Sequence, residues 1–211
     1  MSDQPTNLTV PKKTLYRLSI YQRCLRRLEE SGVETVSSES LAGVAGVKST
    51  QLRKDLACLG QFGIRGIGYE VAGLTAMIHD VLGRNRLKPV VLVGAGNLGS
   101  ALLRYGGFRK EGFEIIAAFD TDDESVGREV DGVKVLHQNE LEQVMREHRV
   151  KMAILAVPGG AAQKVTDNLV DSGVQAILNF SPAVLEVPED VVVKSVDLAV
   201  ELENLSYFVR D

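Results

Sequence analysis

The stretch VVLVGAGNLGSAL places Gly94, Gly96 and Gly99 as GxGxxG, directly after an apolar run that suits a buried strand and at the opening of a helix. The three positions serve a dinucleotide differently. The first glycine permits a tight turn, the second lets the backbone approach a pyrophosphate, and the third lets helix and strand pack closely. Backbone amides of Ala95, Asn97 and Leu98 at the helix start, with the helix dipole behind them, suit an anion. Asp120 closes the next apolar run about 20 residues further on, where a carboxylate accepts hydrogen bonds from an adenosine ribose. Its charge opposes a 2′-phosphate, and the TDDE that follows it from Thr121 adds acid where an NADP site would place arginine. NADH and NAD+ are therefore the expected cofactors. Further contacts are expected at the carboxyl ends of later strands, at Val157 and Pro158 and from Asn179 to Ser181.

A nicotinamide enzyme also needs a group that moves a proton near neutral pH. Around His79, His137 (after a strand) and His148 (among Glu147 and Arg149) the sequence shows no recognisable catalytic motif, and neither a Tyr-x-x-x-Lys pair nor a GxSxG elbow occurs. No catalytic residue is assigned, and an enzyme is not expected. Cys24 and Cys58 stand far apart without a CxxC or Cys/His spacing, which points away from a disulfide framework or a zinc site, and no metal is expected. No apolar stretch approaches the roughly 18 residues of a membrane span, and the N-terminus carries no apolar leader core, so a cytoplasmic chain with no membrane partner is expected.

The cofactor residues need a sheet to hold them. Apolar runs at Val90 to Val93, Ile115 to Phe119, Met152 to Val157, Ala176 to Phe180 and Val191 to Val196, separated mostly by helical segments, predict a doubly wound parallel sheet of the Rossmann type over residues 89–196. Residues 1–88 follow another pattern. Leu15, Leu18, Leu25 and Leu28 keep helical spacing from Thr14 to Ser31, with Gly32 as the stop. A short second helix fits Ser38 to Ala45 and leaves through Gly46, and Ser49 is positioned to cap a third helix whose Leu52, Leu56 and Leu59 face inward. In GQFGIRGIGY, alternating Phe62, Ile64 and Ile67 predict a glycine-rich hairpin with Arg65 at or near its tip. Val71 to Leu82 is again amphipathic, and the polar RNRLKP linker ends the domain. The expected class is α/β: an N-terminal winged-helix domain, a Rossmann domain and a C-terminal helix over 197–211.

Charge divides at the same place. The net charge of −4 combines thirteen Lys and Arg against eight Asp and Glu up to Lys88 with eleven against twenty from Pro89 onward. A basic head on an acidic body suits nucleic acid. On the outward face of the third helix, Gln51 and Arg53 suit bidentate contacts to base edges in a major groove, while Ser49, Thr50 and Lys54 suit the remaining polar and phosphate contacts. Arg65 and Gly66 on the hairpin suit a wing entering a minor groove. Asp55 is expected to pair with Arg53, Lys54 or another helix neighbour. Double-stranded operator DNA is the expected partner.

The tail from Asp197 to Val209 reads as helix, with Leu198, Leu202, Leu205 and Val209 on one stripe and Val200 and Phe208 adding apolar surface elsewhere. That exceeds what one domain would bury, so a homodimer is expected, and a palindromic site follows from two-fold symmetry. Tyr105, placed on the first Rossmann helix, and Phe208 are candidates for the aromatic surface against a reduced nicotinamide, with Asp197 as a polar latch between subunits.

As a set, LYRLSIYQRCLRRL, VSSESLA, QLRKDLACLGQFGIRGIGY, VVLVGAGNLGSALLRY, AFD, LNFSPAVLEVP and VDLAVELENLSYF resemble the Rex family of redox-sensing transcriptional repressors over nearly the full chain. The resemblance implies a homodimer whose C-terminal helices exchange between subunits, bound to an inverted-repeat operator and released when NADH rises. Two other readings stand beside it. One is an NAD-dependent dehydrogenase with an accessory N-terminal helical domain. The other is a CoA-binding module, because VPGGAAQKVTDNLVDSGVQAILNFSP also looks like the CoA-binding domain of acyl-CoA ligases. Asp120 argues against CoA, whose ribose carries a 3′-phosphate.

Overall fold

A computed structural model describes residues 10–60, 63–64, 67–83 and 86–209. Phe62, Arg65 and Gly66 of the expected hairpin lie outside them. The chain divides into two compact units, residues 1–86 and 87–211.

The first unit begins with α1 (Lys12–Glu30), whose Leu18, Tyr21 and Leu25 are fully buried. Strand β1 (Thr35–Val36) leads to α2 (Ser38–Val44), capped by Ser37, whose Oγ accepts the Ser40 N–H at 3.0 Å. Helix α3 (Ser49–Ala57) follows, then β2 (Tyr69–Glu70) and α4 (Val71–Val81). Strands β1 and β2 pair antiparallel, Val36 opposite Tyr69, and an isolated bridge joins Ile64 to Gly68 at the root of the expected wing. This is the predicted winged-helix order, with one local correction. Ser49 does not cap α3; Lys48 takes that place without a side-chain cap bond, and Ser49 is the first helical residue. With nine residues α3 is shorter than the roughly 12–15 at which isolated helices become marginally stable, so packing must hold it. Leu52 at 0% and Leu56 at 2% exposure supply that packing.

The second unit contains β3 (Lys88–Val93), α5 (Asn97–Leu103), α6 (Gly107–Lys110), β4 (Phe113–Asp120), β5 (Glu129–Val130) and β6 (Val133–His137). A 3₁₀ turn over Gln138–Glu140 leads into α7 (Leu141–Glu147), β7 (Met152–Leu155), α8 (Gly159–Asp171), β8 (Ala176–Asn179), β9 (Val192–Ser195) and α9 (Leu198–Ser206). The sheet order is β5-β6-β4-β3-β7-β8-β9, parallel throughout except for the β5–β6 pair. Along β3, Val91 and Val93 enter one hydrophobic core while Val90 and Leu92 enter another, so both faces are covered, as a parallel sheet requires. Counting the parallel strands alone gives the 3-2-1-4-5-6 order of the Rossmann fold, whose crevice lies where the winding reverses, at the carboxyl ends of β3 and β7.

Three differences from the sequence reading matter for the site. Strands β5 and β6 were not among the expected apolar runs. Strand β7 stops at Leu155, which leaves Ala156, Val157 and Pro158 as a loop. Helix α5 stops at Leu103, so Tyr105 lies beyond it rather than on it. Among the described residues no helix is long and apolar enough to cross a membrane.

Candidate functional site

At the end of β3 the chain turns through Gly94, where φ is +97° and a Cβ would stand 2.5 Å from the Ala156 carbonyl oxygen. Gly99 lies directly beneath that turn. A Cβ there would come within 1.8 Å of the Gly94 carbonyl oxygen, so α5 can sit this close to β3 only with glycine at that position. Gly96 is different, because a Cβ on it would meet nothing within 4 Å. The fold therefore does not demand a glycine at Gly96, and the backbone there stands open to an incoming group.

The carboxylate of Asp120, at the end of β4, fixes the loop. Its Oδ2 accepts the Ala95 N–H at 2.7 Å, and its Oδ1 accepts the N–H groups of Thr121 and Asp122 at 2.7 and 3.0 Å. Asp120 thereby joins the ends of the first two parallel strands and keeps acceptor capacity for ribose hydroxyls. Asp122 adds a second carboxylate on the same wall. Hydrogen bonds from the Ser125 hydroxyl and the Glu124 N–H hold it below the usual carboxylate range.

These elements surround a cavity of about 1190 Å³. The structure brings Gly94, Gly96, Asn97, Leu98, Asp120, Val157 and Pro158 to its lining, together as the sequence predicted. Five expected residues are placed elsewhere. Ala95 is buried, with its N–H committed to Asp120. Gly99 is covered by the turn. Asn179 is fully buried: its Nδ2 donates to the Ala183 carbonyl and Ser195 Oγ, and its Oδ1 accepts from the N–H and hydroxyl of Ser181. It shapes the loop whose Phe180 and Pro182 reach the cavity. Tyr105 is outside the lining, 58% exposed, with its ring edge-on to Phe108 at 5.1 Å between centroids. Asp197 caps its own helix, its Oδ1 accepting the Ala199 and Val200 N–H groups at 2.9 and 3.2 Å. The cavity lining also includes Asp122 of the acidic TDDE stretch, and sequence reading missed Ser125, Gln138, Asn139, and Lys164 and Asn168 of α8. Gln138 and Asn139 follow β6, so applying the carboxyl-end rule to VKVLH would have found them.

In the first unit, Thr50, Arg53 and Lys54 are exposed on α3 as expected. Gln51 instead turns partly inward and donates from Nε2 to Asp55 Oδ1 at 3.0 Å. Asp55 corrects the reading most. It is 2% exposed and pairs with none of its charged helix neighbours. Its carboxylate accepts from Arg17 Nε and Nη2 at 2.5 and 2.7 Å, from Tyr21 at 2.9 Å and from Thr14 at 3.2 Å, which ties α3 to α1. Burial pushes the Asp55 carboxyl up, but the hydrogen bonds from Arg17, Tyr21 and Gln51 outweigh it and hold the group below its ordinary value. Burial first, and then the bond to Asp55, push the Tyr21 phenol well above its own. Arg53 bonds to α2 instead, through Ser38 and Glu39. Arg65 and Gly66, expected at the minor groove, lie outside the described residues.

Comparison with known proteins agrees with both halves. Residues 85–183 match the family model described as "CoA binding domain", and residues 9–57 match one described as "Putative DNA-binding protein N-terminus". The redox-sensing transcriptional repressor Rex of Syntrophomonas wolfei is 50% identical over 200 residues, 95% of each chain. The Rex of Streptomyces coelicolor is 48% identical over 198 residues, 94% of this chain and 77% of that one. Among solved structures, RSP, a Rex-family repressor, in complex with β-NAD+ and operator DNA is 35% identical, covers 94% of this chain and 92% of its own, and superposes with a TM-score of 0.88. RSP with β-NADH gives 33% identity, 95% and 94% coverage and a TM-score of 0.85. With a GxGxxG crevice on one unit, a helical reading face on the other and full-length relatives at half identity, the chain belongs to the Rex family of redox-sensing transcriptional repressors.

Proposed function

We propose that this chain represses transcription by binding palindromic operator DNA as a homodimer in the cytoplasm, and that it leaves the operator when NADH fills the crevice between β3 and β7. Its relatives are named repressors rather than enzymes, and RSP binds β-NAD+ with operator DNA as well as β-NADH. The observation that carries the reading to this chain is the pairing of an open backbone at Gly96 with the Asp120 carboxylate beside it.

In this reading the amides of Asn97 and Leu98 face a pyrophosphate across Gly96, and Asp120 accepts from the adenosine ribose while Asp122 reinforces the exclusion of a 2′-phosphate. Val157, Pro158, Phe180 and Pro182 contribute apolar surface to the crevice lining. A bound nicotinamide supplies a charge difference, positive when oxidised and neutral when reduced, and apolar surface favours the neutral form. Tyr105, Phe208 and Asp197 stand outside the crevice of their own chain, and we assign them to the dimer's response rather than to cofactor affinity. On the DNA side, Arg53 reads a base, Ser49, Thr50 and Lys54 meet neighbouring polar groups and phosphates, and Arg65 with Gly66 forms the wing.

Gly96→Ala tests this directly. The added methyl has room in the fold but stands where the ligand must approach, so the variant is expected to keep its thermal stability and operator affinity while losing NADH binding and NADH-driven release. A Gly96→Ala protein released from DNA by the same NADH concentration as the parent would refute the assignment.

A further inference from the structure

We propose that Glu39 is a specificity-determining partner of Arg53, holding its guanidinium in the base-reading pose and discouraging binding to DNA that offers only phosphates; this rests on the assignment of Arg53 to base reading. Arg53 Nη1 donates to Ser38 Oγ at 2.8 Å and to Glu39 Oε1 at 3.2 Å, and Nη2 reaches Ser49 Oγ at 3.4 Å. The Ser38 hydroxyl donates in turn to Glu39 Oε2 at 3.4 Å, which closes a ring between the first turn of α2 and the middle of α3. Burial pushes the Tyr69 phenol of β2 up, while the Arg53 charge acts to lower it and the Glu39 charge to raise it.

Stability does not account for this pair. The two side chains are 48% and 71% exposed, and ion pairs at such sites contribute little to folding. A carboxylate on a face that must approach phosphates also opposes the sequence-independent attraction that drives non-specific binding. What it supplies is discrimination, by two routes. It engages one guanidinium nitrogen and so restrains a flexible side chain, leaving other donors of the fork for a base edge. It also penalises complexes in which Arg53 swings to a phosphate and leaves the carboxylate uncompensated beside the backbone.

The test uses the full chain at fixed salt, an operator duplex selected from random-sequence DNA by the parent protein, and an unrelated duplex of the same length. Glu39→Ala is expected to bind the unrelated duplex more tightly and to lower the operator-to-unrelated affinity ratio by about tenfold, the scale of one well-made bidentate base contact. Glu39→Gln, which keeps an acceptor and loses the charge, is expected to fall between Glu39→Ala and the parent. In an Arg53→Ala background the Glu39 change should no longer move the ratio, and NADH affinity should be the same in every variant. If Arg53→Ala lowers the ratio while Glu39→Ala leaves it unchanged or raises it, the role of Glu39 is overturned and the reading of Arg53 stands. If Arg53→Ala itself leaves the ratio unchanged, the base-reading assignment fails and takes this one with it.

Discussion

Asp55 puts a carboxylate inside the reading head, and its environment decides what that does. A buried charge is stabilising only when its hydrogen-bonding capacity is filled, and Arg17, Tyr21, Gln51 and Thr14 fill it here. Asp55→Ala should loosen α3 by about 3 kcal/mol, the lower end for breaking a buried pair, because Arg17 keeps 22% exposure and recovers some hydration. The Asp55 pKa is lower in the folded than in the unfolded chain, so its contribution is fully present above about pH 4 and is lost as pH falls through the depressed folded value. Amide protection factors in α3 should therefore differ between parent and Asp55→Ala at neutral pH and converge in acid; a gap that does not change with pH would contradict an ionised Asp55. In the sequence, Asp55 is three residues after Leu52 and four before Leu59, which is the buried stripe, yet charge argued for the surface. Its partner Arg17 lies 38 residues away, beyond the reach of any local pattern. The glycines at 94, 96 and 99 were legible for the opposite reason, since turn, helix start and close packing all fall within six consecutive residues.

At the scale of elements, α9 is the least self-sufficient piece of the fold. It is nine residues long and buries none of them within its own chain, while Leu198, Leu202 and Leu205 remain 60%, 68% and 61% exposed. A helix this short and this apolar needs a partner surface, and a second copy of the chain supplies one in the proposed dimer. Ending the chain after Val196 is expected to give monomers or aggregates in sedimentation experiments, with operator affinity lost because two half-sites are no longer read together. A truncated protein that stays dimeric and binds operator normally would exclude α9 as the dimer contact. The long apolar runs that became β3, β4, β7 and β8 were readable, whereas β5, two residues long, carries no usable pattern. Strand β6 has only three apolar residues, Val133, Val135 and Leu136, broken by Lys134, and lies between β4 and the two-residue edge strand β5, so it lacks the continuous apolar run that marks β3 and β7.

At the scale of the whole molecule, a cofactor unit and a DNA-reading unit on one chain make a sensor only if cofactor binding differs between the DNA-competent state and the released state. In the proposed site Gly96, Asn97, Leu98 and Asp120 are assigned to parts that NADH and NAD+ share, and equal affinity for two states shifts nothing. The difference must arise at the nicotinamide end, and linkage makes it reciprocal: a tenfold loss of operator affinity, about 1.4 kcal/mol, implies a tenfold loss of NADH affinity on the operator. The sequence made the two units legible through their separate charge and periodicity, whereas the coupling proposed between them has no signature in the pattern of a single chain. The most direct measurement is operator affinity at one fixed salt concentration with saturating NADH, with saturating NAD+ and with neither. The account predicts at least a tenfold weakening with NADH and little change with NAD+; the same affinity under all three conditions would contradict it.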